Sequence, residues 1–248
     1  MTRLDGERII VTGASTGLGE EMALRYADEG ARVGLLSRSE ADLEAVTAEA
    51  AGETAGETLV CPADVTDAAQ VADAVAAVVD AWGGVDTLVN NAGIGLLTLY
   101  DEGKALHEIT EEDWKQILDV NLHGVFHCTK AVVPHMLEQG RGNLVNVSSG
   151  WGRHASSGYS PYVTSKHGLE GLNKTLALDY EDAGVNSNCV DPGGRVATGF
   201  WSHLPDAEQA EILDPDVMNE AAVLLAEQGP DGVSGESMTA DEWEARLG

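Results

Sequence analysis

A tyrosine and a lysine stand four residues apart in the run YVTSK, residues 162–166. On a helix, residues at this spacing share a face, so the Tyr162 phenol and the Lys166 ammonium can converge. A phenol with its ordinary pKa of about 10 is a weak acid-base catalyst at neutral pH, but a neighbouring cation lowers that pKa. Tyr162 is therefore the first candidate for proton transfer, with Lys166 as the group expected to lower its pKa. The same pair also arises by chance on solvated helices, so the rest of the chain must decide.

The elements that would position this pair follow from an alternation of short β-branched runs with longer helical patterns. Strands are predicted at 8–11, 32–36, 58–61, 87–89, 143–147 and 185–190, and helices near 17–29, 40–51, 67–81, 111–138, 161–182 and 215–227. This order predicts an α/β, doubly wound parallel sheet with helices on both faces, within a single domain spanning 1–248. Ligands of such sheets bind beyond the carboxyl ends of the strands.

The composition disfavours two classes of binding partner. The chain has 42 acidic and 14 basic residues and a formal charge of −28, which disfavours nucleic acid and anionic membrane. The acidic residues are scattered over the predicted helices, so they indicate solvated outer faces that repel one another until salt screens them. We therefore expect a halophilic source; an ordinary acidic enzyme is the rival interpretation, disfavoured by the scarcity of lysine.

Cysteine usage and hydropathy indicate the compartment. Cys61, Cys128 and Cys189 are odd in number and lack metal-ligand spacing, which favours reduced, buried thiols and no metal site. No apolar run approaches the length of about 20 residues that a membrane span needs. The expected location is the cytoplasm.

A glycine-rich turn, TGASTGLG at residues 12–19, follows the first predicted strand and precedes a helix. Glycines there permit a tight turn and let a pyrophosphate approach the N–H groups at the helix N-terminus. The turn lacks the Gly-Lys-Ser/Thr ending of a triphosphate loop, so a kinase or ATPase is disfavoured. The candidate dinucleotide-binding residues here are Gly13, Ser15, Thr16, Gly17, Leu18 and Gly19.

Seven motifs, in this order and spacing, together resemble the short-chain dehydrogenase/reductase family in its single-domain branch. They are Thr12-Gly-x-x-x-Gly-x-Gly19, Asp64, Asn90-Asn91-Ala92-Gly93, Asn121, Asn146-Val-Ser-Ser149, Tyr162-x-x-x-Lys166 and Asp191-Pro192-Gly193. The resemblance covers nearly the whole chain. It implies a seven-stranded Rossmann sheet and hydride transfer to or from a nicotinamide.

The resemblance also implies catalytic roles. Tyr162 would give a proton to a carbonyl oxygen or take one from an alcohol, and Lys166 would bind the nicotinamide ribose. Ser149 would hydrogen-bond the substrate oxygen, with Ser148 as the alternative because adjacent strand residues point to opposite faces. Asn121 would hold a water that links Lys166 to solvent; its alternative role is to satisfy a local helix irregularity.

The choice of cofactor depends on the end of the second strand, where an acidic residue would bind the ribose hydroxyls of NAD. This chain offers Ser37 and Arg38 instead, which can bind a 2′-phosphate, so NADP(H) is predicted over NAD(H). Thr16 is neutral where many NADP-preferring relatives carry a second basic residue. Alternatively, Arg38 only pairs with Glu40 or Asp42 on the surface.

Further cofactor contacts are implied after the third, fourth and sixth strands. They are Asp64, Val65, Asn91, Ala92, Gly93, Pro192, Gly193 and Val196. Asp64 would meet the adenine with Val65 packed on the ring, while Asn91 and Ala92 would mainly support the sheet. The loop after Pro192 is one residue longer than the family pattern, so Val196 replaces Thr198 as the expected nicotinamide contact.

The substrate pocket is the least defined part. Trp151, His154 and Tyr159 precede Tyr162 and are expected to line it. A short lid is expected over 198–214 and implies an open pocket. Phe200, Trp201, His203 and Leu204 lie in this lid, and both histidines are either substrate contacts or simply solvated.

The leading hypothesis is an NADP(H)-dependent carbonyl reductase or alcohol dehydrogenase that acts on a small ketone or secondary alcohol. One alternative is a 3-oxoacyl thioester reductase, although Arg141, Arg153 and Arg195 offer few cations for docking a carrier. Another is a sensor that binds NADP without turnover, which would not need Tyr162. Apolar stripes on the helices that carry Asn121 and Tyr162 favour a homodimer or homotetramer.

Overall fold

The computed structural model describes residues 2–51, 55–100, 102–198 and 212–248. Within these ranges, seven parallel strands form one sheet in the order β3-β2-β1-β4-β5-β6-β7. The strands are β1 Arg8–Thr12, β2 Arg32–Ser37, β3 Glu57–Pro62, β4 Thr87–Asn90, β5 Gly142–Val147, β6 Val185–Asp191 and β7 Ser237–Thr239. The doubly wound, seven-stranded fold is thus confirmed, and its strand order reverses between β1 and β4.

Helices cover both faces of the sheet. They are α1 Gly17–Asp28, α2 Glu40–Ala50, α3 Ala68–Trp82, α4 Leu96–Tyr100, α5 Glu111–Leu118, α6 Gly124–Gln139, α7 Ser160–Asp179, α8 Asn219–Ala226 and α9 Ala240–Leu247. The sequence pattern did not predict α4, α9 or β7, and each of these elements has eight residues or fewer. Short elements carry too few periods for a hydrophobic pattern to identify them.

The predicted helix over 111–138 is wrong in one respect, because a π-helical turn, Asp119–His123, separates α5 from α6. The predicted helices over 161–182 and 215–227 also differ at one end. The first ends at Asp179 and is followed by a 3₁₀ turn, and the second starts with a 3₁₀ turn, Pro215–Met218.

Alternation along the strands divides the core into two layers. On β1, Ile9 and Val11 pack with Tyr26 and Trp243 on one face, whereas Ile10 faces the layer under α3 and α6. The sheet is therefore buried on both sides, as a parallel sheet requires. All three cysteines are buried free thiols.

Capping side chains fix where two helices begin. Asp67 accepts hydrogen bonds from the N–H groups of Ala69 and Gln70, so α3 starts one residue after it. Thr110 accepts from the N–H of Asp113 at the start of α5. Among the described residues, no helix is both long and apolar enough to cross a membrane.

Candidate active site

A cleft of about 1480 Å³ opens at the carboxyl ends of the strands, where the strand order reverses. Most of the site residues predicted from the sequence line it. They are Gly13, Ser15, Thr16, Gly17, Leu18, Ser37, Arg38, Asp64, Val65, Asn91, Ala92, Gly93, Ser149, Tyr162, Lys166, Pro192, Gly193 and Val196. Gly19 and Asn121 are outside this lining and act on the residues that form it.

The glycine-rich turn needs its glycines for two reasons. Gly13 and Gly17 have φ values of +66° and +60°, in the left-handed region that favours glycine. A Cβ on Gly19 would lie 2.2 Å from the carbonyl oxygen of Gly13, so only glycine lets α1 pack this closely on the turn. The Asn91 side chain closes the turn from β4 by donating to the carbonyl of Thr12 at 2.9 Å.

The end of β2 presents a hydroxyl and a guanidinium. The Ser37 Oγ is buried and has no hydrogen-bond partner within the described part of the chain. Arg38 is exposed and, within the same ranges, forms no salt bridge, so the alternative pairing with Glu40 or Asp42 is not found. A buried hydroxyl without a partner beside an available guanidinium fits a phosphate-bearing ligand.

Asp64 and Val65 form the cleft wall after β3. The Asp64 Oδ1 accepts from the N–H and the hydroxyl of Thr66, at 2.9 and 2.8 Å. Val65 is 8% exposed and packs so closely on α6 that a Cβ on Gly124 would lie 2.7 Å from its methyl group. Both side chains are therefore held in fixed positions on the wall.

Tyr162 and Lys166 lie in the first two turns of α7, which has Pro161 in its first turn. The Lys166 Nζ donates to the carbonyl oxygen of Val147 at 2.7 Å and lies 5.6 Å from the centroid of the Tyr162 ring. The Ser149 side chain hydrogen-bonds to the phenol. The end of β5 and the start of α7 thus bring a phenol, an ammonium and a hydroxyl together.

Burial dominates the protonation of this group. It raises the pKa of Tyr162 to about 12; the Ser149 hydrogen bond acts in the opposite direction, and the Asp191 carboxylate adds to the rise. Burial also lowers the pKa of Lys166 to about 8, against the influence of Cys189 and Glu170. The expectation that Lys166 lowers the Tyr162 pKa is therefore corrected for this structure. The ammonium is directed at a backbone carbonyl, and desolvation of the phenolate sets the direction of the Tyr162 pKa shift.

The two serines at the end of β5 point in opposite directions, as alternation along a strand requires. Ser149 faces Tyr162, and its Oγ also accepts from the N–H of Trp151 at 3.2 Å. Ser148 is buried and donates to Glu170 at 2.5 Å. Ser149 is consequently the serine placed to touch a substrate beside the phenol.

Asn121 lies inside the π-helical turn and is 1% exposed. Its amide donates to the carbonyl of Ile94 and accepts from the N–H of Ile94, both at 2.8 Å, and it also donates to Ser165 Oγ at 3.1 Å. A Cβ on Gly93 would lie 3.5 Å from Asn121 Oδ1 and 3.9 Å from Lys166 Nζ, so the missing side chain leaves a gap between them. These contacts tie Asn121 to the segment after β4 and to α7, and both the water relay and the helix-irregularity role stay predictions.

Aromatic rings line the cleft beside the phenol. Trp151 stacks on Tyr159 with centroids 4.7 Å apart and meets the Tyr162 ring edge-on at 6.0 Å. His154 is exposed at the same wall. The predicted substrate contacts Phe200, Trp201, His203 and Leu204 lie outside the described residues.

The loop after β6 places Val196 and Thr198 at the cleft. Val196 is buried and pairs with Leu213 in an isolated parallel bridge. The Thr198 methyl would lie 3.1 Å from a Cβ on Gly17, so Thr198 sits over the glycine-rich turn. The sequence gave no signal for Glu170 and indicated Arg153 only as a candidate docking cation, because the contacts of both with the site depend on tertiary packing.

Comparisons with known proteins find similarity along most of the chain. The family model described as short chain dehydrogenase matches residues 7–209. The D-beta-hydroxybutyrate dehydrogenase of Rhizobium meliloti is 36% identical over 213 residues, 85% of this chain and 80% of that protein. The 3-oxoacyl-(acyl-carrier-protein) reductase of Thermotoga maritima is 34% identical over 248 residues, 96% of this chain and 98% of that protein. A short-chain type dehydrogenase/reductase from Mycobacterium marinum superposes with a TM-score of 0.84 at 29% identity, covering 95% and 94% of the two chains.

Proposed function

The chain belongs to the short-chain dehydrogenase/reductase family, and from this premise we propose that it is an NADP(H)-dependent reductase of ketones and dehydrogenase of secondary alcohols. The observation that carries the proposal is the convergence of Ser149, Tyr162 and Lys166 at one point of the cleft. The bound nicotinamide would supply or accept the hydride.

The protein's own side chains provide for the proton. With a pKa of about 12, Tyr162 is a neutral phenol at pH 7 and can donate its proton to a carbonyl oxygen during reduction. Ser149 is placed to hydrogen-bond the same oxygen, where negative charge develops. An ammonium has three N–H donors, so the bond from Lys166 to Val147 leaves two others for a ribose and the phenol.

NADP(H) is proposed over NAD(H). The support is the buried Ser37 hydroxyl without a partner in the described residues and the exposed Arg38 beside it. A guanidinium binds a 2′-phosphate with charge-assisted hydrogen bonds, whereas NAD offers it no anion at this position.

A 3-oxoacyl thioester reductase is the second candidate, favoured by the similarity to the Thermotoga maritima enzyme. A phosphate-bearing carrier would need free cations near the cleft. Arg153 is instead paired with Asp191 at 2.5 Å, and Arg141 with Glu7 and Asp86 at 3.0 and 2.8 Å. We therefore rank a small ketone above an acyl carrier, and the non-catalytic sensor lowest because binding alone does not require Tyr162.

The proposed setting is the cytoplasm of a salt-rich cell and a homodimer or homotetramer. The charge of −28 supports a need for salt. Phe126 and Leu137 on α6 and Leu178 on α7 are large apolar side chains that are 50%, 43% and 73% exposed, which supports association through these helices.

The test follows the absorbance of the reduced cofactor, NADPH or NADH, over a panel of ketones at high salt. The expected result is turnover of small ketones with a preference for NADPH. Reduction of only acyl thioesters would favour the second candidate, and binding of NADPH without turnover of any substrate would favour the sensor.

A further inference from the structure

A buried carboxylate lies one helical turn beyond the catalytic lysine. Glu170 is 6% exposed and accepts hydrogen bonds from Ser148 at 2.5 Å and Ser237 at 2.8 Å. The Arg153 guanidinium lies 3.6 Å from it. These partners come from the end of β5, from β7 and from the segment before α7, so Glu170 joins three parts of the site.

Burial of a carboxylate carries a desolvation penalty that an apolar side chain in the same helix-sheet interface would not have. Its hydroxyl partners satisfy it without neutralising it. Arg153 is shared with Asp191, which it meets more closely, at 2.5 Å. In a low-dielectric interior, the remaining negative charge acts on nearby groups.

Lys166 is a buried amine on the same helix that this charge can act on. It stands four residues before Glu170, on the same helical face, and is 4% exposed. Among the described residues, the other titratable groups that face Lys166 are the neutral phenol of Tyr162 on α7 and the thiol of Cys189 on β6, which hydrogen-bonds to Glu170. Burial alone would favour an uncharged amine, and both Cys189 and Glu170 oppose it. Burial raises the pKa of the Cys189 thiol well above its ordinary value, so of the two it is the Glu170 carboxylate that bears a charge near neutral pH.

We propose that Glu170 is a positioning residue whose buried carboxylate keeps Lys166 charged in the working pH range and, through Ser148, fixes the strand end that carries Ser149. The effect of Glu170 on turnover rests on the proposed function. Its effect on the charge of Lys166 does not, because that charge can be measured without turnover.

The direct test is NMR of the full chain labelled with ¹³C at the lysine ε-carbons. The chain has five lysines, and loss of one signal in Lys166→Met assigns Lys166. Glu170→Gln keeps the shape and an acceptor for Ser148 but removes the charge, so the pKa of Lys166 should fall by about one unit from its value of about 8. The matched control is Glu181→Gln, which removes an exposed charge just after α7 and should leave that pKa unchanged.

Arg153→Gln gives a test of opposite sign that does not depend on how well Glu170→Gln folds. Loss of this cation leaves Glu170 less compensated, so the pKa of Lys166 should rise. An unchanged Lys166 pKa in a folded Glu170→Gln or Arg153→Gln protein would overturn the electrostatic role.

Turnover supplies the second readout. The pH profile of kcat/KM in Glu170→Gln should shift to lower pH by about one unit, in step with the NMR titration. Ser148→Ala and Ser237→Ala each remove one hydroxyl from Glu170, but only Ser148 adjoins Ser149. Ser148→Ala should therefore lower kcat more than Ser237→Ala, and equal losses would overturn the positioning role. If no ketone is reduced while the Lys166 pKa shifts as expected, the proposed function fails and the electrostatic role stands.

Discussion

The amino edge of the sheet, where the strands begin, and the carboxyl edge, where they end, differ in how their buried charged groups are paired. At the amino ends of the strands, Asp86 is 3% exposed and receives two bonds from the Arg8 guanidinium, at 2.7 and 2.6 Å, and a contact from Arg141 at 2.8 Å. At the carboxyl ends, Lys166 is 4% exposed and its ammonium donates to a neutral carbonyl at 2.7 Å. Similarly low solvent exposure is thus combined with an ion pair at one edge and with a neutral partner at the other.

The pKa shifts of Asp86 and Lys166 reflect this difference in pairing. Burial would raise the pKa of Asp86, but the bonds from Arg8 and the charge of Arg141 outweigh it and hold the pKa below its ordinary value. Burial lowers the pKa of Lys166 to about 8 because nothing comparable compensates it. Pairing fixes a charge and makes the loss of one partner strongly destabilising, whereas incomplete pairing keeps a group close to gaining or losing a proton, as proton chemistry requires.

The largest effect that would sharpen this comparison is the loss of the phenolic hydroxyl at the carboxyl edge. Tyr162→Phe should lower kcat by about 10³-fold, because it removes the proton donor and leaves the ring in place. The free energy of unfolding should change by about 1 kcal/mol or less, since one modest hydrogen bond is lost. Steady-state kinetics and urea unfolding measure the two quantities, and retention of kcat would remove Tyr162 from the mechanism.

The converse change is made at the amino edge. Asp86→Asn should lower the free energy of unfolding by about 3 kcal/mol, because it leaves Arg8 and Arg141 beside a neutral amide. The kcat should stay near the wild-type value, since the substitution lies a full strand length from the cleft. A large loss of kcat in a folded Asp86→Asn protein would contradict the separation of the two edges.

The pH dependence of that penalty follows from the sign of the shift. A carboxyl whose pKa is depressed by folding stabilises the protein above its unfolded pKa of about 3.9 and ceases to do so as the pH falls through the lower folded value. The difference in unfolding free energy between wild type and Asp86→Asn should therefore be constant near neutrality and shrink below about pH 4. A difference that persisted undiminished in acid would show that Asp86 acts through packing instead of charge.

The two edges also differ in how far the sequence could predict them. The strands and the glycine-rich turn follow from local signals, because β-branched runs and glycines at a strand end act through their own backbone preferences. The placement of Tyr162 beside Lys166 follows from helical spacing. Asp86 gave no such signal, since its partners Arg8 and Arg141 are distant in sequence.

Three features of the site could not be predicted from the sequence. The π-helical turn at Asn121 leaves the apolar pattern nearly unchanged, so a single helix over 111–138 fitted as well. Glu170 resembles any solvated glutamate on a helix until the packing of α7 on β6 buries it. The rise in the Tyr162 pKa likewise depends on desolvation, which only the folded structure sets.

The smallest expected effect concerns Arg38, which lies at the carboxyl edge but outside the proton chemistry. Arg38→Ala should raise the KM for NADPH by about 10- to 30-fold, the value of a lost charge-assisted hydrogen bond of about 2 kcal/mol, with little change for NADH. Because Arg38 is exposed and forms no salt bridge within the described residues, the free energy of unfolding should stay unchanged. The comparison variant Arg32→Ala removes a partly exposed arginine, 4.0 Å from Glu57, from the other end of β2 and should alter neither KM. Equal KM changes for NADPH and NADH would mean that Arg38 does not bind the 2′-phosphate. Ser37 would then be the side chain to test, because its buried hydroxyl lies in the same part of the cleft.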